Sequence, residues 1–125
     1  MAFDTISHTK LLKKLENYGI QGNTLELIRS YLSDRYQVTG VLNELPEKLL
    51  VEFGIPQGSD LGPLLFTIYI NNIYRSTTLG KCILFADDTN IFIATKTKSE
   101  AYKLANKVLS AIYSYMKINL LHINI

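Results

Sequence analysis

Two adjacent carboxylates, Asp87 and Asp88, lie between apolar runs in the segment CILFADDTNIFIA. Strand-forming residues on both sides predict a β-hairpin with the acidic pair at its tip, where both side chains can turn toward the same volume. Carboxylates held close together favour a divalent cation, and Mg²⁺ or Mn²⁺ with oxygen ligands is the usual choice. Such ions promote in-line phosphoryl transfer. An exposed Asp-Asp turn also occurs without metal, because Asp is a favoured turn residue.

A second candidate element is the segment GIPQGSDLGPLLF, in which glycines and prolines form a sharply turning loop before an apolar helix. Glycines allow a main chain to approach a ligand closely, and Gln57 offers an amide that both donates and accepts hydrogen bonds. The start of the following helix favours anionic groups. An ordinary loop with Pro63 in the first helical turn would have the same composition.

Four helices are predicted to position these segments. The first spans residues 7–18 and stops at Gly19, with Asp4 expected to cap its free amides. A second opens at Asn23, where Glu26 makes a capping-box-like start. Its predicted apolar stripe consists of Leu27, Ile28, Tyr31 and Leu32. The third covers Pro63 to Ile73, and the fourth is capped by Thr97 with Glu100.

Strands are predicted on either side of the third helix. YQVTGVL and KLLVEF form one hairpin, the aspartate segment forms another, and Leu121, Ile123 and Ile125 alternate in a last strand. This order indicates an α+β fold in which a mainly antiparallel sheet packs on helices. Cys82 is expected to be a buried strand residue, since a single cysteine excludes an intrachain disulfide.

Composition is that of a globular chain, with 47% hydrophobic and 19% charged residues, which excludes a disordered tail. The net charge is only +2, so the chain lacks the strongly basic character of a self-sufficient nucleic-acid binder. Lysine clusters in KLLKKLE and ATKTKSEAYK are expected mainly to solvate helix faces. The longest apolar run, around GPLLFTIYI, is too short to span a bilayer, and we expect an intracellular, non-secreted protein with no membrane partner.

The ordered segments AFDTISH, SYLSDRYQV, GIPQGSDLGPLLFTIYINNI and LFADDTNIF together resemble the reverse transcriptase domain of non-LTR (LINE-type) retrotransposons. The resemblance covers nearly the whole chain and implies a palm-like sandwich with a truncated first strand. Residues 1–125 would then be a partial domain without fingers or thumb. The metal-binding aspartate of the first motif would precede Met1, and Asp4, the second acid of that motif, is not expected to bind metal.

The resemblance also implies roles for individual residues. Asp87 and Asp88 would be the catalytic metal ligands, and Gln57 and Gly58 would line the pocket of the incoming nucleotide. Phe3 would lie beneath the nucleotide sugar and exclude a 2′-hydroxyl, although a lone Phe is otherwise more often a core residue.

The implied reaction of the intact parent is magnesium-dependent DNA synthesis on an RNA template, from a DNA primer and deoxynucleoside triphosphates, with the remainder of a polyprotein as partner. The isolated fragment is expected to be inactive.

Two alternatives remain. A small α+β sheet with exposed aromatic residues can serve as a non-catalytic nucleic-acid-binding module. A decayed copy of an element would have no selected role, and Asp60, Asn72 and the absence of tryptophan depart mildly from the family pattern. His8 matches a histidine of the family and is expected to be a structural group.

Overall fold

The computed structural model describes residues 2–38, 48–56, 58–85 and 88–122. Four α-helices dominate this part of the chain, and four short strands form two hairpins. In chain order the elements are a 3-10 helix Ala2–Thr5, α1 His8–Asn17, α2 Gly22–Leu32, β1 Tyr36–Val38, β2 Lys48–Leu50, α3 Leu61–Ile70, a second 3-10 helix Asn71–Ser76, β3 Lys81–Phe85, β4 Asp88–Phe92 and α4 Lys98–Ile118. The α+β class is therefore confirmed.

Helix α1 has the predicted position, but a different residue caps it. The Ser7 hydroxyl accepts a hydrogen bond from the backbone N–H of Lys10, and Ser7 has the extended backbone of an N-cap residue. Asp4 lies one turn earlier, inside the first 3-10 helix, so the expectation that it caps α1 was wrong. Gly19 follows the helix with φ +88°, a left-handed conformation that ends it as predicted.

Helix α2 also forms, with its start displaced from the prediction. Gln21 occupies the N-cap position without a side-chain hydrogen bond, so the predicted cap at Asn23 was wrong. Of the predicted stripe, Ile28, Tyr31 and Leu32 pack in the main core, whereas Leu27 is 70% exposed. Leu25, which the stripe did not include, is buried. A capping-box pattern reflects only residues close together in the sequence, whereas α2 also packs against α1.

The strands pair only as two separate hairpins in the part of the chain that the structure describes. β1 and β2 are antiparallel, with Gln37 opposite Leu49, and β3 and β4 are antiparallel, with Phe85 opposite Asp88. One common sheet is not seen among these residues. The predicted last strand is also not found at Leu121 and His122, and residues 123–125 lie outside the described residues.

The main hydrophobic core lies between α1, α2 and α3. Helix α3 begins two residues before Pro63 and ends at Ile70, after which the chain tightens into the 3-10 helix rather than continuing as the predicted α-helix to Ile73. Buried members of this core include Leu11, Leu15, Leu32, Leu65, Phe66 and Tyr69. Burial of such side chains is the main source of stability for a domain of this size.

A smaller core joins α4 to the second hairpin. The Thr97 hydroxyl accepts a hydrogen bond from the Glu100 N–H at 3.3 Å, which confirms the predicted cap of α4. Val108 and Ile112 of α4 are buried with Ile73, and β3 and β4 cover them through half-buried residues that include Cys82. Cys82 is therefore less buried than expected. Leu84 packs against both cores and so ties the hairpin to the body of the molecule.

Candidate functional site

The N-terminal segment is held directly against the loop that precedes α3. The backbone N–H of Ile55 donates to the carbonyl oxygen of Phe3 at 3.0 Å, and the N–H of Gly54 donates to that of Ile6 at 2.8 Å. Ser7 and Phe53 form an isolated antiparallel bridge beside them. Two sequence motifs that are about 50 residues apart are therefore joined by backbone hydrogen bonds and one isolated β-bridge.

A hydrogen bond between His8 and Gly54 stabilises the contact between the N-terminal segment and this loop. The imidazole Nε2 of half-buried His8 lies 2.7 Å from the carbonyl oxygen of Gly54 and donates to it. Gly54 has φ +87°, and a Cβ built there would lie 3.1 Å from the Cα of Asp4. Only glycine allows the two backbones to approach this closely without strain. The interpretation of His8 as a structural group is confirmed.

Beyond Gly54 the loop is stabilised by Ser59. Its hydroxyl donates to the carbonyl oxygen of Pro56 at 3.0 Å and accepts from the N–H of Gly62 at 3.1 Å. The Tyr31 hydroxyl of α2 donates to the hydroxyl oxygen of Ser59 at 2.5 Å. These bonds bring the two ends of the Pro-Gln-Gly turn together. Gln57 lies outside the described residues, and Gly58 is exposed, with φ +79°.

Phe3 lies at the edge of the main core. Its half-buried ring stacks on Phe66 of α3, with 4.5 Å between the ring centroids and 28° between the planes. The carbonyl oxygen of Phe3 accepts a hydrogen bond from Ile55, which precedes Gln57 by two positions in the sequence. Its role beneath a nucleotide sugar stays a prediction, and the stack supplies a packing role in addition.

Asp88 is the first residue of β4, where it is exposed and pairs with Phe85. Exposed residues alternate with half-buried ones along both strands, so Asp88 shares the solvent-facing side of the hairpin with Asn90 and Phe85. Asp87 lies outside the described residues. Within the described ranges no three His, Cys, Asp or Glu side chains lie close enough together to hold a metal ion. The metal-ligand roles of both aspartates remain predictions.

Comparison with known proteins determines the family. Residues 1–125 match the family described as reverse transcriptase (RNA-dependent DNA polymerase). This chain belongs to the reverse transcriptase family. This is the family that the sequence resemblance indicated.

The similar reverse transcriptases come from insect mobile elements. A probable RNA-directed DNA polymerase from transposon BS of Drosophila melanogaster is 28% identical over 136 residues, which cover 98% of this chain and 14% of the relative. A Pol polyprotein from the type-1 retrotransposable element R2 of Popillia japonica is 32% identical over 72 residues, covering 58% and 12%. One from element R1 of Bradysia coprophila is 29% identical over 122 residues, covering 93% and 12%.

These relatives confirm the non-LTR retrotransposon type of this reverse transcriptase domain. The chain spans about one seventh or less of the length of each of these relatives. No helix among the described residues has the length and apolar character needed to cross a membrane.

Sequence reasoning missed one polar cluster of this reverse transcriptase domain. The Lys14 ammonium of α1 donates to the carbonyl oxygen of Tyr69 and to the Tyr115 hydroxyl, and it lies 4.5 Å from the centre of the Tyr69 ring. Burial, with a smaller effect of Lys10, lowers the pKa of Lys14 to about 8. Burial also raises the pKa of Tyr115 to about 12. Nothing in KLLKKLE distinguishes Lys14 from its neighbours, so only tertiary packing identifies it.

Proposed function

We propose that this chain provides the nucleotide pocket and one metal-binding element of an RNA-directed DNA polymerase. The proposal is supported above all by the hydrogen bond from Ile55 to Phe3, because it holds the first motif beside the Pro-Gln-Gly loop. Family membership over residues 1–125 supports the same function. Phe3 would exclude the 2′-hydroxyl of a ribonucleotide, and Gln57 and Gly58 would line the pocket.

The substrates would be a DNA primer on an RNA template and deoxynucleoside triphosphates. The 3′-hydroxyl of the primer attacks the α-phosphate, and pyrophosphate leaves. Asp87 and Asp88 supply carboxylate oxygens, the donor type that Mg²⁺ and Mn²⁺ prefer. A bound divalent cation would neutralise charge on the attacking and leaving oxygens. The residues of the loop would orient the triphosphate through backbone N–H groups.

The larger arrangement we propose is that of a palm, completed by other parts of a polyprotein. In a palm the two hairpins would belong to one sheet that also includes a strand from the first motif. Two-metal catalysis needs carboxylates from two separate elements, and the acidic hairpin is one of them. We therefore expect the 125-residue chain by itself not to extend a primer.

The metal site can be tested on the chain itself. Titration with Mn²⁺, followed by electron paramagnetic resonance, should show binding that Asp87→Asn and Asp88→Asn each weaken by about tenfold or more. Asp34→Asn is the matched control, since Asp34 is exposed and its positive φ of 56° suits Asn. Equal binding by all four proteins would refute the metal assignment.

Catalysis can be tested in a chimaera in which these residues replace the matching segment of the transposon BS polymerase. Magnesium-dependent extension of a primer on RNA should survive the exchange and be lost in Asp87→Asn. Phe3→Ala should raise incorporation of ribonucleotides relative to deoxynucleotides. A chimaera that extends primers equally well with Asp87→Asn would refute the proposed roles. Retention of nucleic-acid affinity without metal dependence would instead favour the non-catalytic binding module.

A further inference from the structure

A polar cleft lies between the C-terminal end of α1 and the 3-10 helix that follows α3. Its volume is about 320 Å³, and its walls include Lys14, Tyr18, Asn71, Asn72, Tyr74 and Arg75. Two of these side chains are cationic, and no Asp or Glu lines the cleft among the residues that the structure describes. The net charge of the whole chain is only +2, so this wall concentrates positive charge in one place.

Lys14 reaches the cleft from a half-buried position. Its ammonium has three N–H donors, of which one bonds the carbonyl oxygen of Tyr69 and one the hydroxyl of Tyr115, 3.2 Å away. Tyr69 lies in the last turn of α3, where free carbonyl groups attract a cation. The third donor remains for a ligand. The described ion pairs, Lys13–Glu16 and Arg29–Glu26, do not involve this ammonium, so its charge has no carboxylate partner in the described part of the chain.

The amide side chains of the cleft are oriented so that N–H groups remain for a ligand. The Tyr18 hydroxyl donates to Oδ1 of Asn72 at 3.0 Å and accepts from Nδ2 of Asn71 at 3.2 Å. Because Asn72 is held through its oxygen, its NH₂ group is left as a donor, and Asn71 keeps one N–H. Acceptor atoms of a ligand can therefore bond the N–H groups that remain on these two amides.

Arg75 and Tyr74 form the outer rim. The Arg75 Nε donates to the Tyr74 hydroxyl at 2.9 Å, and the guanidinium carbon lies 5.6 Å from the centre of the Tyr74 ring. This contact leaves the terminal NH₂ groups of Arg75 for an anion. Tyr74 and Tyr18 are 47% and 46% exposed, so each offers a ring face on which a base can stack.

We propose that this cleft binds a backbone phosphate of a single-stranded nucleic acid, at a site separate from the acidic hairpin. The phosphate oxygens accept from Lys14, Arg75 and the Asn72 amide, and a neighbouring base stacks on Tyr74 or Tyr18. The lowered pKa of Lys14 agrees with a half-buried cation that lacks a counter-charge. The choice of nucleic acid as the source of the phosphate rests on the proposed function.

Fluorescence anisotropy with a short labelled oligouridylate tests the proposal on the 125-residue chain. Arg75→Gln and Asn72→Asp should each weaken binding by about tenfold, and Arg75→Gln should reduce the slope of log affinity against log salt by about one. Asn72→Asp changes almost no volume but introduces a carboxylate. Lys103→Gln is the control, because Lys103 is an exposed lysine on α4 outside the cleft. It should change affinity by less than about twofold.

Two further probes identify the ligand chemistry. An oligomer with an uncharged methylphosphonate backbone should bind at least about tenfold more weakly than oligouridylate. Equal losses from Arg75→Gln and Lys103→Gln, or no loss from either, would overturn the site. Equally tight binding of polyglutamate, with the same dependence on Arg75, would overturn the assignment to nucleic acid.

Failure of the phosphate site in the cleft can be distinguished from failure of the proposed polymerase function. Asp87→Asn and Asp88→Asn should each weaken Mn²⁺ binding by about tenfold or more and leave the effect of Arg75→Gln on oligouridylate unchanged. If the aspartate variants lose the ion while the cleft variants bind RNA normally, the polymerase proposal survives and the cleft proposal fails.

Discussion

The ring of Phe3 stacks on the ring of Phe66 at a centroid distance of 4.5 Å. This contact joins the first motif to the helix that follows the Pro-Gln-Gly loop, next to the hydrogen bond from Ile55 to Phe3. The stack therefore helps to hold the first motif beside the Pro-Gln-Gly loop, as the proposed nucleotide pocket requires.

We expect the stack to be measurable in a double-mutant cycle. Phe66→Leu should destabilise the fold by about 1.5 kcal/mol and Phe3→Leu by less, because Phe66 is buried and Phe3 is half-buried. The coupling free energy should be about 1 kcal/mol in urea denaturation. Phe92, which is 57% exposed on β4, gives the control cycle with Phe66, and that pair should be additive. A coupling near zero for Phe3 and Phe66 would contradict the stacked geometry.

Gly54 should be the glycine of the loop least tolerant of a side chain. Gly54→Ala meets both a left-handed φ of +87° and the backbone of Asp4 at 3.1 Å. Gly58→Ala meets a similar φ of +79° with nothing within 4 Å, so it measures the backbone cost alone, about 1 kcal/mol. The difference between their free energies of unfolding should be about 1–3 kcal/mol, with Gly54→Ala the less stable. Equal losses would show that the close approach to Asp4 contributes nothing.

Ser59 should stabilise the conformation of the loop that precedes α3. Ser59→Ala removes the acceptor of Tyr31 and Gly62 and the donor to Pro56, and should cost about 1–3 kcal/mol in thermal unfolding. Tyr31→Phe removes only one of these three bonds and should cost less. In the active chimaera Ser59→Ala should raise the KM for deoxynucleoside triphosphates more than it lowers kcat. A change in kcat alone would argue against a role in positioning the loop.

Stability should pass through a maximum in alkaline solution. Lys14 has a pKa of about 8 when folded against 10.5 as the ordinary value, so between these limits the unfolded chain binds more protons and stability rises with pH. Tyr115 has a pKa of about 12 against 10.0, so the folded chain holds its proton longer and stability falls above about pH 10. Among the residues that the structure describes, the charged and titratable groups around the Lys14 ammonium are Lys10, Tyr18, Tyr69, Arg75 and Tyr115.

Urea denaturation between pH 7 and pH 11 measures this maximum. Lys14→Met should remove the rise above about pH 8, and Tyr115→Phe should weaken the fall above about pH 10. Lys13→Met is the matched control, because Lys13 is exposed one position away and bonds only Glu16 among the described residues. A rise that persists in Lys14→Met would assign it to another group.

Local sequence patterns predicted the elements whose signals come from residues close together in the chain. The Thr97 cap of α4, the stop of α1 at Gly19 and the hairpin around the aspartates all follow from neighbours within a few positions. The start of α2 and the burial of Leu27 were predicted wrongly, because the face that packs on α1 depends on a partner helix.

The sequence by itself determined the family and the order of its motifs, because both depend only on which residues occur and in what order. Tertiary structure alone decided that His8 bonds Gly54, 46 positions away, and that Lys14 bonds Tyr69 and Tyr115, 55 and 101 positions away. Such contacts depend on how whole elements pack, and a side chain's partners and pKa follow from that packing rather than from its neighbours in the chain.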